Sequence, residues 1–97
     1  MKIQPNEYRI TGKWEFVNGE MIGDRNCKRI EFLTSEILEE VASDESGWYT
    51  LFFNTELGNY WELSYPQSEL HGGGPPELSR NDDLDQLQAR YNFQLHG

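Results

Sequence analysis

The sequence predicts an α+β fold: a small two-layer structure in which one long amphipathic helix packs on an antiparallel sheet, with a second helix near the C-terminus. Two observations lead to this prediction. Apolar and polar residues alternate with a period of two in several short segments, and two other segments have apolar residues at helical spacing. Their order along the chain is β-(β)-α-β-β-α-(β), which is typical of an antiparallel sheet with the first helix on one face. We expect residues 1–97 to form a single domain.

The first predicted strand covers Tyr8–Val17. The apolar residues that share one of its faces are Tyr8, Ile10, Trp14 and Phe16. Asn18 and Gly19 follow, and this dipeptide tolerates positive φ better than most. The chain is therefore predicted to turn there, into a short second strand at residues 20–24.

The long helix is predicted over Asp24–Val41, with Asp24 as its N-cap. Its apolar stripe consists of Cys27, Ile30, Leu33, Thr34, Ile37, Leu38 and Val41. The acids Glu36, Glu39 and Glu40 fall mostly opposite this stripe, so we expect them on a solvated face. Gly47 is the predicted helix breaker.

Two further strands, residues 48–54 and 59–65, are predicted to form a hairpin around the turn 55–58. Both faces of this hairpin carry large rings. Trp48 and Phe52 face the opposite way from Leu51 and Phe53, and Tyr60 joins them if the register allows. Either the C-terminal helix or the long loop covers these rings, or a partner protein does. Trp14 and Trp61 are expected in the core.

A loop is predicted over Gln67–Leu78, which contains the sequence HGGGPP. Its glycines allow close approach of another backbone or positive φ, and the two prolines reduce the entropy lost when the loop is fixed. The loop is therefore either a tight turn into the second helix or a surface for a partner. That helix is predicted from about Asp82 to Tyr91, capped by Ser79 or Asn81, with a short strand possible at residues 93–95.

The sequence does not predict an enzyme. HGGG resembles part of the oxyanion hole of lipase-like hydrolases, but the chain contains no G-x-S-x-G nucleophile elbow and is too short for that fold. No cofactor or metal is expected, because His71, His96 and Cys27 are too far apart in sequence and the acids at 82–85 suit a helix N-terminus. The alternative is a small hydrolase that uses carboxylates with His71.

Charge restricts the partners. The net charge is −9 and the isoelectric point is near 4.5. Such a surface repels nucleic acid and anionic membranes and attracts basic proteins, although acidity also serves solubility alone. Cys27 is the only cysteine, so no intramolecular disulfide can form, and no segment resembles a signal peptide or a membrane span. We expect the chain in the cytoplasm.

The segment Tyr60–Leu78, YWELSYPQSELHGGGPPEL, is similar to the signature region of the immunity protein 27 family. Further segments match the family in order: Asn6-Glu7, Gly12–Trp14, Cys27–Leu33 and Asp44–Trp48. The resemblance covers most of the chain, and residues 80–97 match least.

This resemblance implies an immunity protein of a bacterial polymorphic toxin or contact-dependent growth inhibition system. Such a protein has no catalytic activity, binds a cognate toxin domain in the cytoplasm and covers its active site. These toxins are often nucleases with basic surfaces. We therefore expect a 1:1 complex with a basic nuclease, with a ribonuclease favoured.

Loop and ring positions are the candidate contacts with the toxin, together with neighbouring acids, since aromatic anchors commonly dominate affinity. The candidate partner-binding residues are Trp48, Phe52, Tyr60, Glu62, Glu69, His71, Gly72, Gly73, Gly74 and Glu77. The alternative is that this motif is structural and that other segments contact the toxin.

Overall fold

A computed structural model describes residues 3–66 and 74–92. Within these ranges the chain forms a five-stranded antiparallel sheet in the order β1-β7-β6-β5-β4, a separate two-stranded sheet β2-β3, and two helices. The elements are β1 Arg9–Thr11, β2 Trp14–Val17, β3 Glu20–Gly23, α1 Arg25–Phe32, β4 Glu39–Ser43, β5 Thr50–Asn54, β6 Asn59–Ser64, β7 Glu77–Arg80 and α2 Leu84–Tyr91. The predicted α+β class is confirmed.

Helix α1 packs on one face of the five-stranded sheet and forms the larger core. The buried residues of this core are Ile3, Ile10, Ile30, Leu33, Leu38, Phe52, Trp61 and Leu78. Asp24 is the N-cap, as predicted, because its Oδ1 accepts a hydrogen bond of 2.9 Å from the backbone N–H of Cys27. Trp61 is fully buried, which confirms its predicted core role.

The predicted helix over Asp24–Val41 is too long. Helix α1 ends at Phe32 and widens into a π-helical turn, Leu33–Ile37, after which the chain enters β4. The hydroxyls of Thr34 and Ser35 donate to backbone carbonyls three and four residues earlier, which competes with regular helix geometry. Pairing of β4 with β5 then covers a sheet edge that a longer helix would leave open.

The acids predicted on the solvated face of the long helix, Glu36, Glu39 and Glu40, are indeed exposed. Glu39 and Glu40, however, lie on β4 rather than on a helix.

The predicted strand Tyr8–Val17 is in fact two strands that belong to different sheets. The break lies at Gly12, whose N–H donates to the carbonyl of Pro76 at 2.9 Å. A Cβ on Gly12 would lie 2.6 Å from Cys27 Sγ and 2.8 Å from the Pro76 oxygen, so only glycine fits. After Gly12 the chain leaves the main sheet and forms the β2–β3 hairpin. Its turn, Asn18 at φ 51° and Gly19 at φ 81°, is the one predicted.

The split changes the environment of the predicted apolar face. Ile10 is buried, but Tyr8, Trp14 and Phe16 are exposed. Trp14 keeps 40% of its surface accessible, so its predicted core role is wrong.

The predicted hairpin of β5 and β6 is confirmed. Asn54 Oδ1 accepts hydrogen bonds from the N–H groups of Glu56 and Leu57, which closes the turn. Phe52 pairs with Trp61 and Phe53 pairs with Tyr60. Because direct partners share a face, Phe52 and Tyr60 lie on opposite faces and do not form one patch. Phe52 is part of the core under α1, and Tyr60 is covered from the other side.

Helix α2 covers part of the sheet face opposite α1. This agrees with the sequence alternative in which the C-terminal helix covers the rings. Leu87 and Tyr91 pack against Leu51 and Tyr60 in a smaller core. The α2 N-cap is Asp83, whose side chain accepts from the N–H of Gln86, whereas Ser79 and Asn81 had been expected. Neither helix among the described residues is long and apolar enough to cross a membrane. The strand predicted at residues 93–95 lies outside the described residues.

Residues 77–80 form strand β7 between β1 and β6, which the sequence did not predict. Glu77 and Leu78 are therefore strand residues rather than the end of a loop, and the chain after Gly74 enters a strand, not the second helix. The apolar Leu78, which pairs with Ile10 and Leu63, holds this strand in the main core.

Candidate functional site: a polar groove beside the second helix

The second face of the sheet changes character from one side to the other. Near β5 it is apolar and lies under α2, but toward β7 it carries polar side chains: Glu62, Ser64, Glu77 and Ser79. A groove of about 530 Å³ lies over this polar part. Its lining residues are Trp48, Tyr49, Glu62, Ser64, Tyr65, Pro66, Glu77, Ser79, Gln86 and Arg90.

Glu62 lies at the inner edge of the groove and is only 6% exposed. Its Oε1 accepts a hydrogen bond of 2.8 Å from Asn81 Nδ2. Its Oε2 accepts from the Arg90 guanidinium and, at 2.7 Å, from the hydroxyl of Tyr91. A buried carboxylate needs such partners, since an unpaired one is strongly destabilising. Glu62 therefore fastens α2 to the sheet.

The partners of Glu62 show the influence of its charge. Burial raises the pKa of the Tyr91 hydroxyl, and the neighbouring Glu62 carboxylate raises it further. Burial disfavours the charged form of Arg90, but the hydrogen bond and the charge of Glu62, together with the contributions of Tyr91, outweigh this and raise the pKa of the guanidinium. Arg90 is therefore a cation and Tyr91 a neutral phenol at physiological pH.

Glu77 lies in the groove on β7, and its side chain is mostly buried. Its Oε1 accepts from the Thr11 hydroxyl at 3.0 Å and lies 3.7 Å from Arg9 Nε. These contacts tie β7 to the edge strand β1. Glu77, like Glu62, is already bonded within the chain, so both groove carboxylates have structural partners.

The outer wall of the groove is aromatic. The Trp48 ring stands edge-on to Tyr65 with their centroids 6.4 Å apart, and the Arg90 guanidinium lies 4.6 Å from the centre of the Tyr49 ring. The turn that presents Trp48 is well fixed, because Asp44 Oδ1 accepts from the N–H of Gly47 at 2.9 Å. Trp48 and Tyr65 are nevertheless exposed, which is the usual state of aromatic contact residues before a partner binds.

The structure brings together three of the predicted contact residues in this groove: Trp48, Glu62 and Glu77. Of the others, Phe52 lies in the opposite core, Tyr60 lies under α2, and Gly74 is buried. Glu69, His71, Gly72 and Gly73 lie outside the described residues.

Sequence reasoning did not identify Tyr49, Tyr65 and Arg90 as groove residues. The signal for Arg90 was present, since it is the only base in the predicted second helix and precedes an aromatic residue.

The carboxylates of the groove have structural roles. Among residues 3–66 and 74–92, no group of three or more His, Cys, Asp or Glu residues is placed to hold a metal ion. The two groove carboxylates differ in surroundings but both accept hydrogen bonds within the fold, and their role in the described structure is to position β1, β7 and α2.

Comparison with known proteins adds the family. No curated protein and no solved structure matches the chain. The model of one protein family, immunity protein 27, matches residues 16–80, which is more than half of the sequence and includes the hairpin tip, α1, and strands β4 to β7. The chain therefore belongs to the immunity protein 27 family.

Proposed function

We propose that this immunity protein binds the toxin domain encoded beside it, a basic nuclease and specifically a ribonuclease, and covers its active site in a 1:1 complex in the bacterial cytoplasm. The family match supports a toxin as the partner. The distribution of charge carries the rest of the proposal. Between Arg29 and Arg80 the sequence contains ten acids and no lysine or arginine.

Four of these acids are exposed on and around the outer edge strand β4: Glu36, Glu39, Glu40 and Glu45. We refer to these four residues as the acidic edge. Charge on an edge strand also prevents strand-to-strand aggregation, and a single acid would suffice for that. Four exposed acids in one part of the surface produce a field that attracts a cationic surface and accelerates encounter with it.

The acidic edge continues into the aromatic wall of the groove. The β4–β5 turn carries Glu45 and then Trp48 and Tyr49, so acids and rings lie on one connected surface. A nuclease active site is basic because it binds phosphates, and a surface of this kind matches it in charge. The acids would steer association, while the rings would supply most of the affinity.

A salt series tests the electrostatic part. We expect the association rate with the purified toxin domain from the adjacent gene to fall at least tenfold between low salt and about 0.5 M salt. Glu40→Lys should slow association several-fold more than Asp85→Lys, since Asp85 is also an exposed acid but lies on α2 rather than on the acidic edge. Equal rates for the two variants would contradict steering by the acidic edge.

A nuclease assay tests the inhibition itself. The toxin domain alone should degrade RNA, and one equivalent of the immunity protein should stop the reaction. An undiminished rate at saturation would disprove active-site occlusion, and absence of any complex would disprove the proposed function. The alternative of a small hydrolase predicts turnover by the immunity protein alone, which His71→Ala would abolish.

A further inference from the structure

We propose that the β2–β3 hairpin is the apolar anchor of the complex: it inserts into a toxin cleft that has an apolar floor and a basic rim. This inference rests on the proposed function. It concerns a surface separate from the groove, and none of the contact residues predicted from the sequence lies on it.

The hairpin exposes apolar side chains that a monomer would normally bury. Phe16 is 72% exposed and Met21 is 61% exposed, and the two are direct cross-strand partners. Trp14 and Val17 are exposed as well. Scattered exposed apolar residues are common on protein surfaces, but here four lie within eight consecutively paired strand positions. Such a concentration is typical of an interaction site.

The hairpin also forms a sheet of its own, separate from the five-stranded sheet. Among the described strands, none pairs with the outer edge of β2 or of β3. An isolated two-stranded hairpin is only marginally stable in water, and further strands or a helix usually support it. Among the described residues, support for the hairpin is found at its base, where the Asp24 N–H donates to the Lys13 carbonyl at 2.9 Å and Gly23 lies against Cys27 on α1.

The hairpin is nevertheless preorganised. Its turn has Asn18 and Gly19 at positive φ, the combination that matches the right-handed twist of paired strands. A rigid element loses little conformational entropy on binding, so its rings can contribute most of their burial energy to affinity. An exposed apolar tip with a defined turn conformation is suited to enter a concave site.

Charge indicates the chemistry of the cleft. Residues 14–23 contain two acids, Glu15 and Glu20, and no base. Both acids are exposed and flank the turn. A cleft with an apolar floor and basic rim would contact the rings of the tip and pair with both carboxylates. A second copy of this chain would present the same acids and would therefore repel the hairpin.

The hairpin and the groove can engage one partner together. Tyr65 lines the polar groove and also a second, apolar groove of about 540 Å³ that Trp14 and Ile22 border at the base of the hairpin. The exposed surface therefore continues from the groove through Tyr65 to the hairpin.

The decisive experiment measures binding of the double variant Phe16→Ser/Met21→Ser to the toxin domain from the adjacent gene. We expect its dissociation constant to rise on the order of tenfold or more, chiefly through faster dissociation. Tyr8→Ser is the matched control, because Tyr8 is an aromatic residue that is 64% exposed and lies outside the hairpin. The control should change affinity by less than about twofold.

Hydrogen exchange of the unmodified chain provides a second measurement that does not depend on a variant. Amides of residues 14–23 should become protected when the toxin domain binds. Full affinity of the double variant, or unprotected hairpin amides in the complex, would overturn the anchor while leaving the proposed function intact. Failure of the unmodified chain to bind the toxin domain would instead refute the proposed function.

Sedimentation of the free chain tests the competing occupant. A monomer supports the proposal. A dimer that Phe16→Ser/Met21→Ser dissociates would show that the hairpin binds a second copy, and would overturn it.

Discussion

Glu62 and the β2–β3 hairpin depart from the usual distribution of side chains in opposite directions. Glu62 is a carboxylate in the interior, and the hairpin carries aromatic and aliphatic side chains in water. The interior carboxylate has its partners within the chain: Asn81, Arg90 and Tyr91 occupy both of its oxygens. The Phe16 ring near the hairpin tip has no comparable cover from the described residues, since it is 72% exposed. A buried carboxylate whose partners lie within the chain therefore serves folding. Exposed apolar side chains without such cover indicate a partner.

The largest expected contrast is in the free energies of unfolding of Glu62→Ala and Phe16→Ala. Glu62→Ala should lower the free energy of unfolding by about 3 kcal/mol, because it leaves the Tyr91 hydroxyl and the Arg90 guanidinium without their acceptor. Phe16→Ala should change it by less than about 0.5 kcal/mol, because the removed ring is solvated. Urea denaturation at pH 7 measures both. Similar losses for the two variants would show that the hairpin belongs to the core and would invalidate the comparison.

The same contrast explains which features the sequence could predict. Local signals were sufficient for the Asp24 cap, the Asn18-Gly19 turn and the β5–β6 hairpin, since each depends on residues close in sequence. Contacts between residues far apart in sequence determined the elements that were predicted wrongly. Helical spacing continues to Val41, but pairing with β5 draws residues 39–43 into a strand. The break at Gly12 depends on a contact with Pro76, which no pattern near Gly12 reveals.

The candidate site was predictable only in part for a related reason. Alternation in β6 placed Glu62 on the same face as Tyr60, and this is correct. The face assigned to Phe52 depended on the register between β5 and β6, and direct pairing with Trp61 buries it under α1. The exposure of Phe16 could not be predicted either, because a period of two shows that one face is apolar without showing that anything covers it.

A second carboxylate–guanidinium pair tests whether burial, rather than pairing, determines how much stability is lost when the carboxylate is removed. Glu7 accepts two hydrogen bonds from Arg29, of 2.6 and 2.7 Å, in a more accessible position than Glu62. The Arg29 hydrogen bond holds the pKa of Glu7 below its ordinary value of 4.5. Glu7→Gln should therefore cost only about 1 kcal/mol at pH 7.

The pH dependence of this loss follows from the direction of the shift. A carboxyl whose pKa is lowered in the folded state contributes stability above its unfolded pKa, and this contribution disappears as the pH falls through the folded value. The difference in the free energy of unfolding between Glu7→Gln and the unmodified chain should thus be constant near neutrality. It should shrink toward zero as the pH falls below 4.5. Arg29→Gln supplies the control, since a double-mutant cycle isolates the pair. A gap that persists at pH 2 would show that Glu7 acts through packing instead.

Gly19→Ala should have the smallest effect on global stability, and it tests whether the hairpin is an independent unit. Gly19 (φ 81°) and Gly58 (φ 70°) both adopt left-handed conformations, and a Cβ on either would meet no atom within 4 Å. The strain of alanine is thus the same, about 1 kcal/mol. Gly58→Ala strains the turn between β5 and β6 and should lower the free energy of unfolding by that amount. Gly19→Ala should lower it by less than about 0.5 kcal/mol, because the hairpin can open while the rest stays folded.

The strain at Gly19 should appear instead in local exchange and in affinity. Amides of β2 and β3 should exchange several-fold faster. The affinity for the toxin domain should fall only in proportion to the fraction of molecules whose hairpin stays folded, which is a smaller change, since only the folded hairpin is competent to bind. Gly58→Ala should leave the affinity unchanged at temperatures where it remains folded. Equal losses of global stability for both variants would mean that the hairpin unfolds together with the main sheet. The hairpin would then be part of the cooperative fold rather than a separate element that binds the toxin.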